Sequence, residues 1–127
     1  MLIAGIGCRA GTSAEAVLEA LAASVRECHL EQRSIDAIAT ASVKGSERGI
    51  IEAAARLRLP LVLVDSGAMR RVAESALTAS TRVLALKGVP SVAETAALAA
   101  AGTAARLLAP RAATATATCA IAWGADT

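Results

Sequence analysis

The first nineteen residues, MLIAGIGCRAGTSAEAVLE, constrain the fold more than any other stretch. The apolar run from Leu2 to Ile6 reads as a buried strand, and Gly5, Gly7 and Gly11 mark a tight turn at its end. Thr12 is followed three residues later by Glu15. That is a capping-box pattern, predicting a helix with Thr12 as N-cap and Glu15 at N3. A buried strand handed to a helix through a glycine turn is the opening unit of an α/β sheet, whose ligands bind beyond the carboxyl ends of the strands. Free N–H groups and the positive end of the helix dipole favour anions at that edge.

The same unit recurs along the chain. A helix over 13–28 places Ala14, Val17, Leu18, Leu21, Val25 and Cys28 on one buried stripe, with Glu15, Glu19, Arg26 and Glu27 in water. Residues 35–41 read as a second strand parallel to the first. Ser42 to Glu47 form a second turn, with Ser46 as N-cap and Glu47 in the first helical turn. The helix that follows, to about Leu57, is predicted to bury Ile50, Ile51, Ala54 and Leu57. Leu61 to Val64 read as the third strand, and Asp65-Ser66-Gly67 as the third turn. A helix to Leu77 then turns Met69, Val72, Ala73 and Ala76 inward. Residues 81–87 have strand composition, yet Ser80 or Thr81 can cap a short helix there and Gly88 can end it; helix is the preferred reading. Ser91 and Glu94 form a second capping box. The helix they open is apolar nearly all round as far as Ala101, as a helix packed on both sides reads, and Gly102 stops it. Residues 106–109 read as a fourth strand, Pro110-Arg111 as a turn and 114–122 as a fifth. In that last segment Thr114, Thr116 and Thr118 alternate with Ala115, Ala117 and Cys119, which marks the one wet face of an antiparallel or edge strand.

This rhythm predicts a single α/β domain over residues 1–127. Its architecture is a three-layer α/β/α sandwich on a mixed, mostly parallel sheet of about five strands, with a C-terminal antiparallel hairpin. Right-handed crossovers put the turns at Arg9–Thr12, Lys44–Ser46 and Asp65–Gly67 on one edge.

Composition then narrows the function. The chain has one Trp, no Phe and no Tyr, so its core must rely on close backbone approach with Leu, Val and Ile as the larger fillers. So few aromatics count against single-stranded nucleic-acid binding, and a net charge of +2 is too small for a duplex-binding surface. Cys8, Cys28 and Cys119 are odd in number and widely spaced, which argues against a disulfide framework or a zinc site and predicts reduced thiols. Met1-Leu-Ile-Ala lacks the basic start of a signal peptide, and the longest apolar run is far short of the ~20 residues a membrane span needs. The expectation is a cytoplasmic protein with no membrane or nucleic-acid partner.

Several chemistries can be weighed at the residues themselves. Gly5-x-Gly7-x-x-x-Gly11 is one residue too long for a dinucleotide fingerprint, and no acid ends the second strand; Asp36 lies at its start. There is no phosphate-loop motif, since Gly45 follows Lys44. A catalytic triad or a histidine metal site would have to use His29, the single histidine, in a polar loop. Cys8 beside Arg9 at a helix start occupies a position that can depress a thiol pKa, although a small turn residue explains it as well. No cofactor is called for. What remains is a set of cations and caps at the strand-to-helix turns: Arg9, Lys44 and Lys87 with Thr12, Ser46 and Ser91. Either they are solvated charge and ordinary capping, or they receive a ligand with several carboxylates.

Three separated motifs lie at these residues. They are Gly5-Ile6-Gly7-Cys8-Arg9-x-Gly11-Thr12, then Ala39-Thr40 with Lys44-x-x-Glu47, then Gly88-Val89-Pro90-Ser91-Val92-Ala93-Glu94-x-Ala96-Ala97-Leu98. In that order they resemble the CobE proteins of cobalamin biosynthesis and the C-terminal domain of CbiG, over the whole chain. The resemblance implies a role in building the corrin ring, with a precorrin or corrin intermediate as ligand and pathway methyltransferases or other corrin enzymes as partners. CbiG is associated with opening a lactone on a cobalt-precorrin and releasing acetaldehyde, whereas a stand-alone domain looks like CobE of the aerobic route. The implied ligand-binding set is Gly7, Cys8, Arg9, Gly11, Thr12, Thr40, Lys44, Ser46, Ser91 and Glu94. Glu94, Glu47 and Lys44 are the candidate bases should the protein be a hydrolase. The macrocycle is too large for an enclosed pocket in a domain of this size, so a shallow cleft or a homodimer groove is expected. A structural adaptor for a methyltransferase and a nucleotide-binding domain are the remaining readings.

Overall fold

The computed structural model describes residues 1–78, 91–102 and 104–125. Among these, β1 (Leu2–Cys8), β2 (Ala37–Ala41) and β3 (Leu61–Val64) alternate with α1 (Ala14–Glu27), α2 (Arg48–Leu57) and α3 (Ser66–Thr78). Helix α4 (Val92–Ala101) and the short strands β4 (Arg106–Leu107) and β5 (Ala112–Ala113) follow, and β6 (Ala117–Trp123) closes the sheet. The strand order is β3-β2-β1-β6-β4, with β5 also on β6. β1, β2 and β3 are parallel, while β6 runs antiparallel to β1 from Cys8↔Ala117 to Leu2↔Trp123. The sandwich on a mixed sheet is as expected, and residues 81–87 lie outside the described residues.

The C-terminal hairpin differs from its prediction. Residues 114–116 form a turn, so the strand predicted over 114–122 begins only at Ala117, as β6, and the unpredicted β5 stands before the turn and pairs with it. β6 is no edge: β1 covers one side of it and β4 and β5 the other.

The two faces of the sheet are unlike. Ile6, Ile38 and Ile121 pack with Val17, Leu21, Val25 and Ile50 of α1 and α2. The opposite face presents Ala37, Ala39, Ala120 and Ala122 to Ala93, Ala96, Ala97 and Ala101 of α4. Alternation along β1 sends Ala4 and Ile6 to the first face and leaves Gly5 and Gly7 on the second. A methyl group on Gly5 would overlap the Ala93 carbonyl oxygen and lie 2.7 Å from the Ala97 nitrogen, so α4 rests on bare backbone there. That is how a core without large aromatics closes: helix and sheet approach until alanine methyls suffice to fill the gap.

Helix α2 buries Gly49, Ile50, Ala53 and Ala54, whereas Ile51, predicted inside, is 45% exposed. The stripe is set by Gly49, whose Cα is pressed against the Thr12 carbonyl, and Ile51 falls about 200° around the helix from it.

Candidate site at the carboxyl edge of the sheet

Because β1, β2 and β3 are parallel, their carboxyl ends and the starts of α1, α2 and α3 gather at one edge. α4 begins at that edge too. Gly7, near the end of β1, faces Val92 and Ala93, whereas Gly124, beyond the far end of β6, faces Ala101. Among the described residues, four helix N-termini therefore share one edge, α1 and α2 on one face of the sheet and α3 and α4 on the other.

The caps are partly as predicted. Ser91 and Glu94 form the complete capping box of α4: the Glu94 carboxylate accepts from the Ser91 N–H at 2.9 Å, and the Glu94 N–H donates to the Ser91 hydroxyl at 3.2 Å. Glu94 is 1% exposed, and Arg111 donates to its carboxylate at 3.3 Å. For α1 the cap moves by one residue: Ser13, not Thr12, accepts from the Ala16 N–H at 3.1 Å. Thr12 is buried and donates to the Arg9 carbonyl at 2.7 Å and the Thr116 carbonyl at 3.3 Å. It thereby ties the β1 turn to the β5–β6 turn. Gly11, at φ 78°, supplies the left-handed residue that this turn needs. Glu15 is not a box member; it points outward to Arg56 at 2.8 Å, a contact that holds its carboxyl below the usual range.

Ser46 is likewise not the cap of α2. A 3₁₀ turn over Ser42–Lys44 delays that helix, and Glu47 takes the N-cap position without a side-chain cap bond. Its carboxylate accepts instead from the Gly11 N–H at 3.1 Å, joining the first and second turns. The third turn is shorter than predicted. α3 starts at Ser66, and the Asp65 carboxylate accepts from the Ala68 N–H at 2.8 Å.

Cys8 is half-buried between these turns. Burial pushes its thiol up, and Glu47 adds to that; Lys44 and the Thr12 hydroxyl oppose the rise without overcoming it. The direction is opposite to the lowering that a place at a helix start can give, and desolvation is its largest cause. Thr40 is fully buried and donates to the Ile6 carbonyl at 2.8 Å, away from the surface of the edge. Lys87 lies outside the described residues. His29 sits beyond the far end of α1, at the opposite edge, as does Asp36, whose carboxylate accepts from the Leu2 N–H at 2.7 Å. Among the described residues, no group of three or more His, Cys, Asp or Glu could hold a metal ion, and no helix is long and apolar enough to cross a membrane.

Among the described residues, two hollows open at the edge. The first, about 360 Å³, is lined by Gly7, Cys8, Arg9, Val92 and residues 114–118. The second, about 440 Å³, lies between the starts of α1 and α2 and is lined by Gly11–Glu15, Ser46–Gly49 and Glu52. Arg9 borders the first hollow, and Lys44 borders neither. Three residues that the sequence did not single out share the edge: Ser13 as a cap, Arg111 on Glu94, and Thr116 through its carbonyl. The Thr-Ala alternation before β6 was the available signal for Thr116, and it reads only as a wet face.

The family described as cobalamin synthesis G C-terminus matches residues 2–122. The chain is similar to the crystal structure of cobalamin biosynthesis protein chiG from Agrobacterium tumefaciens str. C58: 41% identity, 99% of this chain and 100% of that one, TM-score 0.86. It is similar also to CobE, a protein from the cobalamin (vitamin B12) biosynthetic pathway: 32% identity, 96% and 89% coverage, TM-score 0.79. A cobalamin biosynthesis protein G homolog from Sulfolobus solfataricus shares the fold at 18% identity over 36% of its own length, TM-score 0.68. A search of curated proteins found no match.

Proposed function

This chain belongs to the cobalamin synthesis G C-terminal family, and from that premise we propose that it binds a corrin-ring intermediate and aids its processing or transfer. The ligand is of the precorrin or hydrogenobyrinic-acid type, and the route is the aerobic one. The observation that carries the reading is the gathering of four helix N-termini at one edge, with Arg9 and Lys44 beside them. Among the described residues neither cation is engaged in an ion pair. Corrin intermediates carry acetate and propionate groups around an apolar ring, which suits unspent N–H groups and free cations.

The other reading, a hydrolase that opens a precorrin lactone with release of acetaldehyde, needs a free base. Glu94 is buried on Ser91 and Arg111, and Glu47 is held by Gly11, so both acids serve backbone first, and Lys44, the third candidate, lines neither hollow. Binding is the better use of the edge. The same reading places the protein in the cytoplasm, with pathway methyltransferases as docking partners and a second copy as a further wall for the ring.

The test mixes the purified protein with a cobalt-free corrin acid and follows the visible spectrum and co-elution. A spectral shift is expected, with Arg9→Ala and Lys44→Ala each weakening binding by about 1–3 kcal/mol per charge-assisted contact. No shift and no co-elution refutes binding. Acetaldehyde release from a lactone substrate, followed by mass spectrometry, would establish the hydrolase instead.

A further inference from the structure

The two hollows differ in charge, and the difference has a direction. Among the described residues, Arg9 is the one charged residue lining the first hollow. Among the described residues its guanidinium has no hydrogen bond or ion pair, and neither has the Thr116 hydroxyl on the same wall. Val92, the first residue of α4, forms the facing wall, so the helix start adds its partial positive charge. The second hollow is lined by Glu15, Glu47 and Glu52 against Arg48. Arg56 neutralises part of that charge by pairing with Glu15 and Glu52; among the described residues Glu47 is in no ion pair, and Arg48 is the cation that lines the hollow with it.

We infer that the first hollow, through Arg9 and Thr116, is the subsite for one side-chain carboxylate of the ligand, and that Glu47 keeps carboxylates out of the second. The edge is thereby polarised across the sheet, since the first hollow opens on the α4 face and the second between α1 and α2. A macrocycle with carboxylates all round its rim is held in one orientation, because one part of its rim is attracted and another repelled. The inference rests on the corrin reading, but the subsite itself is a claim about carboxylates.

Two measurements separate the two claims. In the first, ¹⁵N-labelled protein is titrated with glutarate, a plain dicarboxylate. Amide shifts centred on Gly7 and Thr116–Thr118 are expected and support the subsite. Shifts centred on Gly11 and Gly49, or no shifts, overturn it. In the second, a cobalt-free corrin acid is titrated into folded wild type, Arg9→Gln, Thr116→Val and Glu47→Gln. Arg9→Gln is expected to weaken binding about ten- to hundredfold and Thr116→Val about three- to tenfold, while Glu47→Gln keeps or tightens it. Equal affinity for Arg9→Gln and wild type, or weakening by Glu47→Gln alone, removes the subsite while leaving corrin binding intact. Failure of wild type to bind the corrin acid removes the corrin reading, and the glutarate result then decides the subsite alone.

Discussion

Replacing Gly5 by alanine adds one methyl group at the centre of the molecule, and the structure says what it meets. The new carbon would overlap the Ala93 carbonyl oxygen and lie 2.7 Å from the Ala97 nitrogen and 2.9 Å from the Ala97 methyl. Unstrained contacts of this kind are roughly 3.5 Å or more, so α4 must withdraw by more than about 1 Å to clear the Ala93 oxygen. Overpacking costs roughly 1–3 kcal/mol where side chains can adjust. Here the worst overlaps are with helix backbone, which sets the cost near the upper figure. Against it stands a gain of roughly 0.5–1 kcal/mol from the stiffer unfolded chain. A net loss of about 2 kcal/mol is expected, lowering Tm by roughly 8 °C for a chain of this length, with a lower urea midpoint and an unchanged m-value. Gly7→Ala is the internal control: its methyl would come 3.0 Å from the Thr118 hydroxyl, a side chain that can turn aside, so its cost should stay under about 1 kcal/mol. Wild-type stability in Gly5→Ala would refute the reasoning. So would rescue by Ala97→Gly, because that change leaves the overlapped Ala93 carbonyl in place.

Four further outcomes follow from the same geometry. Ser13→Ala should cost about 1 kcal/mol in urea unfolding through the lost Ala16 cap, which would make Ser13 and not Thr12 the cap by experiment. Burial pushes the Cys119 thiol from 9.0 up to about 12; the folded state keeps a proton that the unfolded chain gives up, so this stabilisation is whole below pH 9 and drains away towards pH 12. Wild type should therefore lose about 2–3 kcal/mol relative to Cys119→Ala between pH 8 and pH 11, read from paired urea melts. Glu94→Ala removes the carboxylate half of a buried capping box, the backbone N–H at position 94 still reaching the Ser91 hydroxyl, and leaves Arg111 without its acid, for about 2–3 kcal/mol in chemical unfolding, whereas Glu94→Gln keeps the acceptor for Ser91 and should lose about half as much. Corrin-acid binding should weaken steeply as salt rises from about 0.05 to 0.5 M, because Arg9 and Lys44 are screened at the surface, and an affinity indifferent to salt in isothermal titration would contradict the edge as binding surface.

What could be read in the sequence is what is decided locally. Leu61 to Val64 is an apolar run between Pro60 and Asp65, and β3 spans those four residues. Ser91 and Glu94 stand at box spacing before an apolar run, and the box is there. Errors arose where two neighbours satisfy the same local rule and a distant residue breaks the tie. Thr12 and Ser13 can both cap; the Thr12 hydroxyl is taken by the Arg9 carbonyl and, at longer range, by the Thr116 carbonyl, 104 residues on. Glu15 fits a box, but Arg56, 41 residues later, takes its carboxylate. Gly5 and Gly7 carry the spacing of a ligand-binding turn, yet Gly5 exists for α4, which the chain reaches some ninety residues later. The cations of the site were legible as residue types at turns. Arg111 and Thr116 were not, since only the pairing of β5 with β6, and of β6 with β1, carries them to this edge.

The size of the hollows bears on how such a domain could hold a macrocycle. At about 360 and 440 Å³ each suits a side chain of the ring and neither the ring itself. A ligand held by its periphery gains little from apolar burial, so orientation must come from where charges sit along the edge. Strand β1 sets that arrangement. Its glycine face draws α4 in until Val92 lines the first hollow, and its last turn, fixed by Thr12 and Glu47, puts Arg9 on the lining of that hollow and Glu47 on the lining of the second. The close packing that stabilises the sheet also spaces the groups a carboxylate would meet. A change at Gly5 mild enough to leave the protein folded should therefore still disturb binding, through the start of α4, with no ligand contact altered directly.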